Sequence, residues 1–183
     1  MIIGVAGSFG AGKGVVVDYL IQTRGFTHYS ASGFITEEIK RRGLPVDRDS
    51  MTVVANELRK EHGPTYIMEA LYRRANEAGG DVVIESLRAV AEAQKIKELG
   101  GKVIGVDADS RLRYERACKR GSEKDIVSYE KFLAQERAES NPDDPTKQDV
   151  FAALKESDFI VTNNGTLDEL HAQIEEVLRQ ITK

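Results

Sequence analysis

The chain has no tryptophan, one cysteine, three histidines and four prolines in 183 residues. A single cysteine, Cys118, excludes an internal disulfide and a thiolate metal cluster. In its helix-like run it reads as a small apolar residue. His28, His62 and His171 stand far apart, and no pair has the spacing of a metal-binding helix. No apolar stretch approaches the length that spans a bilayer. No basic leader precedes the first apolar run, so no secretory signal is expected. Positive charge is not in excess: 26 Lys and Arg against 30 Asp and Glu give a net charge of −4, which argues against a dedicated nucleic-acid binder. The expectation is a cytoplasmic monomer or homodimer that acts on a small molecule, without nucleic acid or membrane as partner.

What is present suffices for one domain. An apolar content of 40% supports a core and argues against disorder. Short β-branched runs alternate with longer amphipathic ones. Strands are expected over residues 1–6, 27–30, 81–85, 102–107 and 158–162. Helices are expected over 13–23, 32–42, 50–62, 64–78, 89–99, 110–120, 129–139, 148–156 and 166–181. Val82-Val83-Ile84 and Val103-Ile104-Gly105-Val106 are continuously apolar, as strands covered on both faces are. Strands separated by helices imply parallel pairing through right-handed crossovers, with ligands at the carboxyl ends. Two segments stand apart. Residues 43–80 carry two helices with no strand between them, and residues 121–147 are polar and broken by Asn141-Pro142-Asp143-Asp144-Pro145.

Between the first strand and the first helix lies Gly7-Ser8-Phe9-Gly10-Ala11-Gly12-Lys13-Gly14. Strand, glycine loop and helix is the context of a phosphate-binding P-loop. The glycines let successive N–H groups curl around a polyphosphate, and the helix points its positive end at the same anion. Lys13 adds a mobile cation for the β- and γ-phosphates. The alternative is a glycine turn that binds nothing. The general motif places Ser or Thr after the lysine, for Mg²⁺; here Gly14 and then Val15 follow.

Gly-x-x-Gly-x-Gly-Lys-Gly resembles the loop of the adenylate kinase branch of the nucleoside monophosphate kinases. That resemblance implies ATP held by Gly7, Ser8, Phe9, Gly10, Ala11, Gly12, Lys13, Gly14 and Val15, and Mg²⁺ held largely through water. The family usually has Thr where this chain has Val15, so one hydroxyl contact to a phosphate is missing. Asp81-Val82-Val83-Ile84-Glu85-Ser86-Leu87-Arg88 resembles the run in which a strand of that family ends Asp-Gly-x-x-Arg. By the same resemblance Glu85 orients metal-bound water and Arg88 grips the acceptor phosphate with its planar fork. A strand-end glutamate and a solvated arginine are the alternative.

Asn56-Glu57-Leu58-Arg59, with His62-Gly63-Pro64 after it, resembles a set of adenylate-kinase-like proteins, some of them related to dephospho-coenzyme A kinase. The likeness extends to Glu37-Glu38-Ile39-Lys40-Arg41-Arg42-Gly43 and to the run from Ser157 to Thr166. It implies that Arg59 faces the acceptor; an exposed helix arginine is the alternative. Gly33 and Thr36 stand where adenylate kinases usually carry an Asp and a phosphate-binding Arg, so recognition of AMP in their manner is not implied.

Arg111, Arg113, Arg116, Lys119 and Arg120 crowd one stretch, and helical spacing puts Arg113, Arg116 and Arg120 on one face. The resemblance implies lid arginines at Arg116, Arg120 and Arg137, closing on the transferring phosphoryl group. A solvated basic face is the alternative. Asn163-Asn164-Gly165 reads as a turn. In related kinases the loop there packs against adenine, which implies Asn164 at the nucleotide.

The expected fold is α/β: a three-layer P-loop NTPase with a parallel sheet of about five strands flanked by helices. One domain spans 1–183, with 43–80 as a substrate-binding helical insertion and 121–147 as a lid. The expected activity moves the γ-phosphoryl group of ATP, with Mg²⁺, to a (deoxy)nucleoside monophosphate or similar small acceptor. Lys13, Glu85, Arg88, Arg116, Arg120 and Arg137 are its expected catalytic residues, and Arg59 and Arg88 its acceptor grip. Two other readings stand beside it, a dephospho-coenzyme A kinase and a slow P-loop NTPase acting as a switch.

Overall fold

Five strands, β1 (Ile2–Gly7), β2 (Thr27–Ser30), β3 (Val82–Leu87), β4 (Lys102–Asp107) and β5 (Phe159–Thr162), form one sheet in the order β2-β3-β1-β4-β5. All four pairings are parallel. The computed structural model describes residues 1–119, 127–138 and 147–182. Among them the helices are α1 (Lys13–Arg24), α2 (Ala31–Arg41), α3 (Arg48–His62), α4 (Tyr66–Ala78), α5 (Val90–Glu98), α6 (Ser110–Lys119), α7 (Tyr129–Ala138), α8 (Val150–Lys155) and α9 (Leu167–Ile181). This is the three-layer P-loop arrangement that the alternating sequence predicts.

The sheet separates two cores because side chains alternate along each strand. Ile3 and Val5 of β1 pack with Val16, Val17 and Leu20 of α1 and with Leu170, Ile174 and Leu178 of α9. Ala6 belongs to the opposite layer, with Ile35, Leu58, Met68, Leu71, Ala93 and Ile96. Burying that second layer draws on α2, α3, α4 and α5 together. Residues 43–80 are therefore not an appendage: Val54, Leu58, Ile67 and Met68 are among its fully buried or nearly buried members.

Helix boundaries follow from caps. The Ser30 hydroxyl accepts the Gly33 N–H at 3.1 Å and starts α2. The Asp47 carboxylate accepts the Ser50 N–H at 2.8 Å and starts α3 two residues before the periodicity suggests. Thr166 and Glu169 form a capping box at α9.

β5 begins one residue later than expected, at Phe159, and β3 departs further. β3 continues to Leu87 rather than ending at Glu85, by way of a bulge. Val5 pairs with Glu85 and Ala6 with Leu87, so Ser86 is the extra residue. It has φ 74°, the one non-glycine residue with positive φ among those described. Such a conformation costs on the order of 1–2 kcal/mol outside glycine. In the Asp-Gly-x-x-Arg run, glycine holds the position after the carboxylate. The bulge turns the chain at the carboxyl end of β3.

Candidate functional site

The loop between β1 and α1 is built so that glycine is required. Gly10 and Gly12 have φ 80° and 99°. A Cβ on Gly10 would strike the Arg113 carbonyl oxygen, and one on Gly12 would strike the Asn163 amide nitrogen. The loop closes on itself through Ala11 N–H to Ser8 C=O at 3.3 Å and Val15 N–H to Gly12 C=O at 3.0 Å. α1 begins with no side-chain cap and no acidic residue in its first turn. Its leading N–H groups therefore face the loop without a competing carboxylate, which suits an anion. The Ser8 hydroxyl is buried without a hydrogen-bond partner. The Lys13 ammonium donates to the carbonyls of Gly7 at 2.8 Å and Ser8 at 3.0 Å. Glycine cradle, uncapped helix start, orphaned hydroxyl and adjacent ammonium together fit a polyphosphate. Gly14 and Val15 lie at the open start of the helix, and a Cβ on Gly14 would meet nothing.

Glu85 stands beside this loop. Its carboxylate lies 3.3 Å from His28 Nε2 and is 20% exposed. Burial pushes its pKa up. The His28 hydrogen bond, the Lys13 charge and the Ser86 hydroxyl outweigh that and hold it below the usual glutamate value. Strand register explains the meeting. Ser30 pairs with Glu85 and His28 with Val83, so His28 and Glu85 share the face that Val83 turns to α1. Sequence spacing gave no sign of His28, because its partner lies on another strand. Among the described residues no three carboxylate, imidazole or thiol groups gather as a direct metal site.

Arg88 follows the bulge. Its N–H donates to Glu92 Oε2 at 2.8 Å, and its carbonyl accepts the Asp149 N–H at 2.8 Å. The backbone at this position is fixed from both sides. Arg59 lies elsewhere than a surface reading suggests. It is 2% exposed, and Nε and Nη2 donate to Glu92 Oε1 at 3.0 and 2.8 Å. Nη1 reaches Asn56 Oδ1 at 3.3 Å. The arginine expected at the acceptor thus forms a core ion pair, since Glu92 is fully buried and requires a counter-charge.

The arginines of α6 separate. Arg113 is buried: Nε donates to the Ala108 carbonyl at 2.9 Å, and Nη1 pairs with Glu136 of α7. Arg116 reaches the turn after β5, where Nη1 donates to the Asn163 carbonyl at 2.9 Å. Arg137 is exposed in the last turn of α7. Arg120 lies outside the described residues, as do residues 121–126 and 139–146 of the expected lid. The described part, α7, joins the loop directly: the Phe132 ring packs 6.3 Å from Phe9 and 5.7 Å from Tyr114.

Asn163 and Asn164 also divide. Asn164 is exposed and its Oδ1 accepts the Asp109 N–H at 2.8 Å. Asn163 is 5% exposed, and its Nδ2 donates to the Ala11 carbonyl at 2.9 Å. Loops after β1, β3 and β5, and the helix after β4, thus bring Lys13, Glu85, Arg88, Asn163 and Arg116 to the carboxyl edge of the sheet. That edge, at the strand flanked by β3 and β4, is the switch point where open α/β sheets take ligands.

Comparison with known proteins agrees with this geometry. A family model described as an AAA domain (AAA_17) matches residues 6–133. A UPF0200 protein of Pyrobaculum aerophilum is 30% identical over 183 residues, covering 98% of each chain. Among solved structures, TT1252 from Thermus thermophilus superposes with TM-score 0.67 at 19% identity, covering 100% of this chain and 98% of that one. A shikimate kinase from Bacteroides thetaiotaomicron superposes with TM-score 0.56 at 12% identity, covering 100% and 99%. At those identities the structural likeness is one of fold.

Proposed function

From the premise that this chain belongs to the UPF0200 family and carries an AAA-type P-loop domain, we propose that it is an ATP-dependent phosphotransferase. Its acceptor is a (deoxy)nucleoside monophosphate or a similar small molecule. The observation that carries this reading is the loop: a glycine cradle, an uncapped helix start and Lys13, with the ionised Glu85 beside it. A shikimate kinase among its structural neighbours supports the reaction class.

The chemistry is largely positioning and charge neutralisation. The loop amides and the start of α1 receive the β- and γ-phosphates. Lys13 exchanges the Gly7 and Ser8 carbonyls for phosphate oxygens. Glu85, whose pKa is held below the usual glutamate value, would accept hydrogen bonds from the water around a bound cation. Mg²⁺, when bound, supplies neutralisation of the phosphate charge. Arg88 holds the acceptor, whose oxygen forms the new bond to the γ-phosphorus as the bond to ADP breaks. Arg116, with Arg120 and Arg137, supplies positive charge to the moving group. A monophosphate acceptor is already anionic and needs no base. A hydroxyl acceptor, as in dephospho-coenzyme A, would hand its proton to a carboxylate such as Glu85.

One observation favours a second reading. With Arg59 engaged by Glu92, only Arg88 remains of the arginine pair expected at an acceptor. A slow NTPase switch needs no such pair. A screen of ADP release with Mg²⁺-ATP and a panel of nucleoside monophosphates, deoxynucleotides, dephospho-coenzyme A and shikimate decides between them. Stimulation of at least a hundredfold by one acceptor, with phosphorylated product, supports the transferase. Slow turnover indifferent to every acceptor supports the switch, and absence of ATP binding removes both.

A further inference from the structure

The functional reading above leaves Asn163 without a role, yet its side chain is bonded to the glycine loop. Four bonds converge on it. Its N–H donates to the Asp107 carbonyl at 2.8 Å, which fixes its backbone to the end of β4. Its Nδ2 donates to the Ala11 carbonyl at 2.9 Å. Its own carbonyl accepts Arg116 Nη1 at 2.9 Å, and its Oδ1 lies 3.5 Å from Arg116 Nη2. The orientation of the amide is set by chemistry: the nitrogen faces a carbonyl and the oxygen faces a guanidinium. Reversing it would place acceptor against acceptor and donor against donor.

The consequence for the loop follows from peptide geometry. In a planar trans peptide the Ala11 C=O and the Gly12 N–H point in opposite directions. Pinning the carbonyl towards Asn163 therefore turns the Gly12 N–H away from it. Only glycine lets the chain pass this close to the amide, since a Cβ at position 12 would strike Nδ2. On the same residue's other side, Arg116 is held where α6 meets the loop.

We infer that Asn163 is a positioning residue of the phosphate loop, which fixes the direction of the Gly12 N–H and holds Arg116 beside the loop before nucleotide arrives. The inference rests on the P-loop reading. It adds that the loop is not self-sufficient: an amide contributed from beyond β5, 152 residues away, sets one of its donors. Arg116 then has two alternative acceptors, the Asn163 carbonyl in the free chain and a phosphate oxygen in the complex.

The test compares wild type, Asn163→Ala, Asn163→Ser, Arg116→Ala and the Asn163→Ala/Arg116→Ala double variant. ADP and adenosine binding are measured separately, by calorimetry and by ligand-observed NMR. The expected result is about a tenfold loss of ADP affinity in Asn163→Ala, of the size one unmade bond produces. Adenosine affinity stays within twofold, because the amide acts on the phosphate donors. Arg116→Ala costs less in the Asn163→Ala background than in wild type, because the two share one network. Equal losses for ADP and adenosine would mean general damage and overturn the inference. So would unchanged ADP affinity in Asn163→Ala. A wild type that binds no ADP overturns the P-loop reading itself, a distinguishable failure. If neither variant at Asn163 folds, the wild-type side-chain amide is read directly. Slow exchange of the Asn163 Nδ2 protons with solvent supports the bond to Ala11, and exchange at the rate of a free asparagine overturns it.

Discussion

The Lys13 ammonium lies 2.8 Å from the carbonyl oxygen of Gly7, at the other end of the loop it belongs to. The cation of this site is thus stored on the backbone that will surround its ligand. Storage of this kind keeps a part-buried charge solvated by carbonyls until phosphate replaces them. Lys13→Ala removes the charge where it is needed in the transition state. The expected effect is a fall in kcat on the order of 10²–10³, as for other preorganised donors. Stability falls by about 1 kcal/mol for each hydrogen bond lost. Steady-state turnover alongside urea melts checks both; undiminished turnover would remove the loop from the chemistry.

Glu85 gives a pH signature. Its folded pKa is depressed: burial works against ionisation, and the His28 hydrogen bond and the Lys13 charge overcome it. A carboxylate depressed on folding adds stability above its unfolded value, about 4.3. That contribution disappears as pH falls through the folded value. The expected outcome is that wild type exceeds Glu85→Gln in stability at pH 6–7, and that the difference shrinks below about pH 4. Urea midpoints of the two proteins across that range measure it. A constant difference would mean that the carboxylate gains nothing from its neighbours on folding.

How much of this was legible follows the range of each signal. The loop of Gly7 to Gly14 is contiguous, and so its chemistry is readable residue by residue. The parallel sheet follows from apolar runs separated by helices, whereas the strand order is set by pairings between residues far apart in sequence. Ser86 was not legible, since no local pattern marks a serine for positive φ; the bulge is imposed by pairing with β1. The division between Asn163 and Asn164 depends on which one the β5 register turns inward, and adjacent identical residues carry no such information. The burial of Arg59, expected at the acceptor, is not readable locally because its partner, Glu92, lies 33 positions away on α5. His28 escaped for the same reason, since its carboxylate lies on a neighbouring strand.

Arg88 carries the acceptor prediction. Its backbone is anchored by Glu92 and Asp149, so its side chain departs from a fixed point. Arg88→Ala should raise the acceptor KM, or lower kcat, by about ten- to a hundredfold, the value of a charged hydrogen bond. ATP affinity should stay within about twofold of wild type, since uniform acceptor binding is a separate contribution. Calorimetry with ATP and kinetics with whichever acceptor the screen identifies separate the two. Loss of ATP binding with acceptor binding kept would reverse the assignment of the two sites.

The pair of Arg59 and Glu92 makes the sharpest prediction about stability. Glu92 Oε1 receives two N–H groups from Arg59, and Oε2 receives the N–H groups of Arg88 at 2.8 Å and Ala89 at 3.1 Å. One fully buried carboxylate therefore ties α3 to the turn that carries Arg88. Arg59→Met strands its charge in the core, and the expected cost is about 3–5 kcal/mol. Glu92→Leu is expected to cost at least as much, since it strands Arg59 and leaves two backbone N–H groups unpaired. The double variant Arg59→Met/Glu92→Gln removes both charges and keeps an amide oxygen for those N–H groups. It should recover most of the loss, whereas Arg59→Met/Glu92→Leu should recover less by about 1–3 kcal/mol for each unpaired donor. Urea melts of wild type and the four variants give the comparison. If the two double variants are equally stable, Glu92 is only a counter-ion. If the variant with glutamine is the more stable one, the carboxylate is also the backbone clamp of Arg88, and its loss should reach the acceptor through that residue.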